Sequence, residues 1–170
     1  SDALLTEVSG TNIIRFLDTV DFPAAAREEP FGRYTRSDGG TDFTELRAST
    51  PAAPNALPRV GPVVISEILA EPQPGRAEYV ALFNLSDRPV ALFDTNHLAN
   101  TWELSGAVEF VFPVNQTLPP YASVIVCATN AAAFRAQYAV DPSIAVYGPW
   151  LGQLNNAGES LKLLFPGDPE

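Results

Sequence analysis

One histidine and one cysteine bound the chemistry open to this chain. A structural zinc site takes about four Cys or His ligands, so His97 and Cys127 together cannot supply one. A Ser-His-Asp triad would have to be built on His97. That residue lies in the polar run Asp94-Thr-Asn-His-Leu98, with no Gly-x-Ser-x-Gly elbow anywhere in the chain, and it reads as a loop residue. Cys127 closes the apolar run Ser123-Val-Ile-Val-Cys127 and reads as a small core hydrophobe, not a nucleophile. As the single cysteine it can form no internal disulfide.

Calcium is the one ion for which oxygen ligands gather. Ser37-Asp-Gly-Gly-Thr-Asp42, with Glu45, groups Asp38, Asp42 and Glu45, and Asp94 with Asn96 forms a second cluster. Neither matches the spacing of a calcium loop of about twelve residues, so solvated acidic turns are the favoured reading and no cofactor is expected. Tyr147 and Trp150 flank Gly148-Pro149 and could form an aromatic platform for a sugar, although core or interface packing is the stronger reading. Arg33 and Arg36 flank Tyr34, a combination able to stack on rings or bind carboxylates. Against a net charge of −10 the two arginines read as intramolecular ion-pair partners.

That charge, 10 Lys+Arg against 20 Asp+Glu, repels phosphate backbones and anionic lipid surfaces, so nucleic acid is not an expected partner. No apolar run reaches the roughly 20 residues of a membrane helix, so membrane insertion is not expected either.

The elements that must position these residues are short strands. Sixteen prolines and eleven glycines punctuate β-branched and aromatic runs, the pattern of an all-β sandwich or barrel. Strands are expected at Val63–Leu69, Tyr79–Asn84, Pro89–Phe93, Trp102–Leu104, Val108–Phe112, Ser123–Ala128, Ile144–Tyr147 and Ser160–Phe165. Asn130–Tyr138 is expected to be the one helix, capped by Thr129 or Asn130, with Phe134 and Tyr138 packing it onto the sheets. The proline-rich run Ala48–Pro58 divides an arm, residues 1–57, from a sandwich over residues 58–170. In the arm, residues 12–22 read as a strand and Phe31–Phe43 as a loop with aromatic anchors. Asn155, Asn156 and Gly158 supply a tight hairpin, and Asn84 with Ser86-Asp87 another turn.

Taken in order, Ile65-Ser-Glu-Ile68, Glu78-Tyr-Val80 with Asn84, Trp102-Glu-Leu104, Phe110-Val-Phe-Pro113, Leu118-Pro-Pro-Tyr-Ala122 and Leu154-Asn-Asn-Ala-Gly-Glu159 resemble the lamin tail domain family in its bacterial form. The resemblance covers roughly residues 60–165, and Ala81 stands where the family usually has a second acidic residue. It implies an immunoglobulin-like β-sandwich. It also implies a non-enzymatic interaction or anchoring module of a larger, exported bacterial protein, acting through sheet edges and surface aromatics on protein or cell-surface components. Two alternatives stay open: a carbohydrate- or calcium-dependent ligand-binding sandwich, and an accessory domain of a secreted enzyme.

In the family's light, residues 1–57 look like the trailing end of a preceding module, and Phe165–Glu170 stops where a last strand is expected. Residues 12–22, with Ile13, Ile14, Phe16, Val20 and Phe22, are therefore expected to supply that missing strand, within the chain or by strand exchange with a neighbour.

Overall fold

The computed structural model describes residues 2–25 and 27–166. The chain divides into two compact units, Ser1–Val60 and Gly61–Glu170, a few residues beyond the Pro58 boundary. The tail Gly167–Glu170 lies outside the described residues.

The first unit is two hairpins. β1 (Asp2–Ser9) pairs antiparallel with β2 (Asn12–Asp21), and β3 (Phe31–Thr35) with β4 (Thr41–Glu45). The run expected to be a loop is thus the β3–β4 hairpin. Its turn closes with the Arg36 and Gly40 backbones bonded at 2.8 Å and Gly39 N–H donating to Arg36 O at 3.0 Å. Gly32 of β3 has no room for a side chain: a Cβ there would lie 2.5 Å from Leu46 Cδ1 and 2.9 Å from Asn55 Nδ2. Leu46, 3% exposed, is the buried large hydrophobe among the described residues of this unit.

The within-chain form of the expectation for residues 12–22 is corrected here. β2 carries Ile13, Ile14, Phe16 and Val20, and its partner is β1; it joins neither sheet of the second unit. Phe22 lies just past the strand, 6.2 Å from the Phe31 ring. Leu4, Thr6 and Val8 alternate on β1, and Gly10-Thr11 turns the chain straight back, so a local hairpin forms without long-range loop closure.

The second unit is an all-β sandwich. Its strands are β5 (Val63–Leu69), β6 (Tyr79–Asn84), β7 (Val90–Ala91), β8 (Glu103–Gly106), β9 (Val108–Val111), β10 (Thr117–Leu118), β11 (Ser123–Cys127), β12 (Ala145–Tyr147), β13 (Leu151–Gly152) and β14 (Leu161–Leu164). One four-stranded sheet runs β12-β11-β6-β5 and the other β13-β9-β8-β14, while β7 and β10 form a small ladder. Val80, Leu82, Val124 and Val126 of the first sheet share one core with Leu104 and Val108 of the second. Trp102, Phe112, Trp150 and Leu154 complete it. Burying each such aliphatic side chain contributes about 1.5–3 kcal/mol.

The first sheet is covered on its other face too. α1 (Ala131–Tyr138) starts at Asn130, whose Oδ1 accepts from Ala133 N–H at 2.9 Å, and ends at Ala139 in the left-handed conformation. Its Phe134 and Tyr138 rings stack at 4.6 Å and both meet Tyr79 edge-on at 5.4 Å. This crossover explains why β11 and β12 run parallel, since a parallel pair needs a long connection.

Candidate functional site

Two carboxylates of the acidic loop in the first unit share one arginine of the chain. The Arg36 guanidinium reaches Asp38 at 3.2 Å and Asp42 at 3.1 Å, and Asp38 also accepts from Gly40 N–H at 2.8 Å. Glu45 ends β4 opposite Phe31, with its carbonyl accepting from Arg59 N–H. An arginine therefore stands where a cation would have to sit. In the second unit Asp94 accepts from Asn96 N–H at 2.8 Å and contacts His97 Nδ1 at 3.0 Å; the backbone bond first, then the imidazole, holds its carboxyl below the usual range. Among the described residues no group of three or more His, Cys, Asp or Glu converges on a metal position.

The aromatic platform is corrected as well. Trp150 is 4% exposed and belongs to the core; its backbone N–H donates to Cys127 O at 3.2 Å, which turns the ring inward after Gly148-Pro149. Tyr147 is half-buried against Phe110 and Phe112, and its hydroxyl donates to Gln116 Oε1 at 2.6 Å. Burial pushes the Cys127 thiol up, and Sγ donates to the carbonyls of Thr129 and Tyr147. Both facts fit a packing residue.

The turn asparagines hold backbone. Asn84 is fully buried: Nδ2 donates to the carbonyls of Arg88, Leu118 and Pro119 at 2.8–3.2 Å, and Oδ1 accepts from Ser86 N–H and Oγ. Asn155 accepts from Ala157 N–H at 2.8 Å, and Gly158, at φ 96°, closes the turn onto Asn155 O; Asn156 is exposed between them. A groove of about 310 Å³ beside α1 is lined by Glu67, Tyr79, Ile125, Phe134, Tyr138 and Asp141 among others. Its polar groups are committed: Tyr79 donates to Glu67 at 2.5 Å, and Asp141 accepts from Ser143 N–H and Oγ.

What stands out is the β1–β2 hairpin. Residues opposite one another in a ladder share a face. Leu4 with Thr19, Thr6 with Phe16 and Val8 with Ile13 make one face; Ala3 with Val20, Leu5 with Asp18 and Glu7 with Arg15 make the other. Leu17 and Ile14 are the extra residues at the two irregularities in β2. Leu4, Val8, Ile13 and Phe16 are 57–63% exposed, so the first face is an uncovered apolar row. The opposite face is pinned by charge: Arg15 pairs with Glu7, and Arg33 of β3 reaches both oxygens of Asp18 at 2.5 Å. Tyr34, next on β3, is half-buried opposite Asp42. The sequence singled out β2 for its apolar side chains; β1 was missed, although Leu4, Val8 and the Gly10 turn signal it.

No helix among the described residues is long and apolar enough to cross a membrane. Compared with known proteins, the chain matches no family model, no curated protein and no solved structure.

Proposed function

We propose that this chain is a non-enzymatic interaction and anchoring module of a larger, exported bacterial protein, in the manner of the lamin tail domain family. It docks on protein or cell-surface components through uncovered β-structure. The observation that carries this reading is the row Leu4, Val8, Ile13 and Phe16 on a sheet of only two strands. Such a sheet is marginal in water by itself and gains from a covering surface, and fully burying one large apolar side chain is worth about 1.5–3 kcal/mol. Main-chain bonding at an open strand edge supplies affinity without any ionisable group. The acidity of the chain favours protein or neutral surface partners over nucleic acid.

The test is co-sedimentation of the 170-residue chain with the envelope fraction of the cells that make it. The wild type is expected to be retained, and a Val8→Lys/Phe16→Lys variant to be lost while its circular dichroism and melting stay unchanged. Equal retention of both proteins overturns the reading.

A further inference from the structure

We propose that the groove beside α1 receives an arginine side chain of a partner protein. The site lies in the second unit and is independent of the hairpin. α1 covers one end of the outer face of β12-β11-β6-β5, where Phe134 packs with Cys127 and Val146. The groove, about 310 Å³, lies beside it over the rung Glu67, Ala81 and Ile125 of β5, β6 and β11. Ala81, the smallest side chain of that rung, gives the groove its depth.

A β-bulge puts Glu67 there. Ile65 packs against the core, so regular alternation would send Glu67 inward as well. The extra residue Ser66 reverses this and sets Glu67 opposite Ala81, and Ser66 Oγ holds the bulge by donating to Ala81 O at 3.1 Å. Asp141, just past the C-terminal end of α1, is the second acid of the groove. The bonds within the chain take one oxygen of each carboxylate: Glu67 Oε1 accepts from Tyr79, and Asp141 Oδ1 from Ser143 N–H and Oγ. Among the described residues neither acid joins an ion pair, and no Arg, Lys or His lines the groove. Arg135 donates to the carbonyls of Asp141 and Ile144 and not to the carboxylate. The remaining walls are largely aromatic and aliphatic, from Tyr79, Phe134, Tyr138, Val140 and Ile144.

A guanidinium on an aliphatic stem meets all of these. Its fork pairs with carboxylates, its plane lies on rings and its methylenes cover apolar walls. The chain already uses this chemistry nearby: Arg76, which does not line the groove, sits over the Tyr138 ring at 5.1 Å. The volume is at the small end of the range for ligand sites, about 300–1,000 Å³, which suits a single side chain. The net charge of −10 draws cationic surfaces towards it.

The probe is N-acetyl-arginine amide, titrated into the isotope-labelled chain and followed by amide NMR at about 0.05 M salt, where charge pairing is little screened. Signals around Glu67, Ala81, Ile125 and Asp141 are expected to move and those of β1 and β2 to stay. N-acetyl-citrulline amide has nearly the same shape without the charge and is expected to move none of them. N-acetyl-lysine amide, with no planar fork, is expected to bind more weakly. Glu67→Gln and Asp141→Asn keep an acceptor for Tyr79 and Ser143, and each is expected to weaken binding about two- to fivefold. Free arginine is expected to bind no more tightly than the capped amide, because the two acids repel its α-carboxylate. Absent shifts, shifts elsewhere, an equal response to the citrulline or lysine probe, or binding indifferent to both substitutions overturns the inference. Tighter binding of free arginine overturns the assignment to a partner protein. None of these results touches the envelope retention that tests the hairpin.

Discussion

Phe112 follows a strand of the sandwich and Phe16 lies in the β1–β2 hairpin, yet one is 1% exposed and the other 63%. Around Phe112, two four-stranded sheets face one another and one sheet is backed by α1, so apolar side chains from both sides interlock. Around Phe16 there are two strands, and side chains stay exposed on both faces of the ladder: Leu4 is 58% exposed on one and Leu5 59% on the other. The same residue type, with the same strand preference, is thus interlocked in a core in one unit and left facing solvent in the other.

The sharpest way to break that contrast is to truncate both rings. Phe112→Ala is expected to cost about 3–5 kcal/mol in urea unfolding. Phe16→Ala is expected to stay within about 0.5 kcal/mol. Comparable losses would mean that the hairpin face is covered in the folded chain. Next in size, Asn84→Ala strips the donor from the buried Leu118 and Pro119 carbonyls and is expected to cost about 2–4 kcal/mol in the same assay.

A smaller effect is spectroscopic. Burial, then the hydrogen bond and charge of Glu67, push the Tyr79 hydroxyl up to about 12 from 10.0. The folded state therefore holds that proton more tightly than the unfolded chain. The stability it contributes is complete below pH 10 and is lost between pH 10 and about 12. Difference titration at the phenolate band against Tyr79→Phe is expected to place this group near pH 12, and Glu67→Gln to move it only part of the way back, because burial is the larger cause. Smallest of all, Arg33→Ala breaks a half-exposed pair with Asp18 and is expected to cost less than about 1 kcal/mol.

The sandwich was legible because its strands are half-buried over several residues. β5 and β6 begin and end where the sequence places them, and β9, β11, β12 and β14 lie within one or two residues. Asn130 proved to be the cap, with Phe134 and Tyr138 four apart on the packed face. β10 and β13 span two residues each, too few to show any period. β3 and β4 were hidden because Arg33 and Asp42 obscure their alternation; charge pairing and the Phe31–Phe43 stack support the hairpin, with Gly32 packed against the buried Leu46. For Tyr147 and Trp150 the stronger of the two readings, core packing, is the one found; the accompanying backbone bond from Trp150 to Cys127 joins residues distant in sequence. Of the exposed apolar row, the sequence picks out Ile13 and Phe16 on β2, while Leu4 and Val8 fall in a segment for which it predicts no strand.

The complete burial of Asn84 reaches beyond folding energetics. Asn84-Leu-Ser86 spells an acceptor for N-linked oligosaccharide. In the folded chain no transferase could reach that amide, since both its ends are engaged by carbonyls and by Ser86. Made in a eukaryotic secretory pathway, the nascent chain would meet the transferase before folding, and a sugar attached there would bar the β6 turn from closing. Ser86→Ala would remove the acceptor while keeping the asparagine, which makes it the substitution to carry for production in such a host.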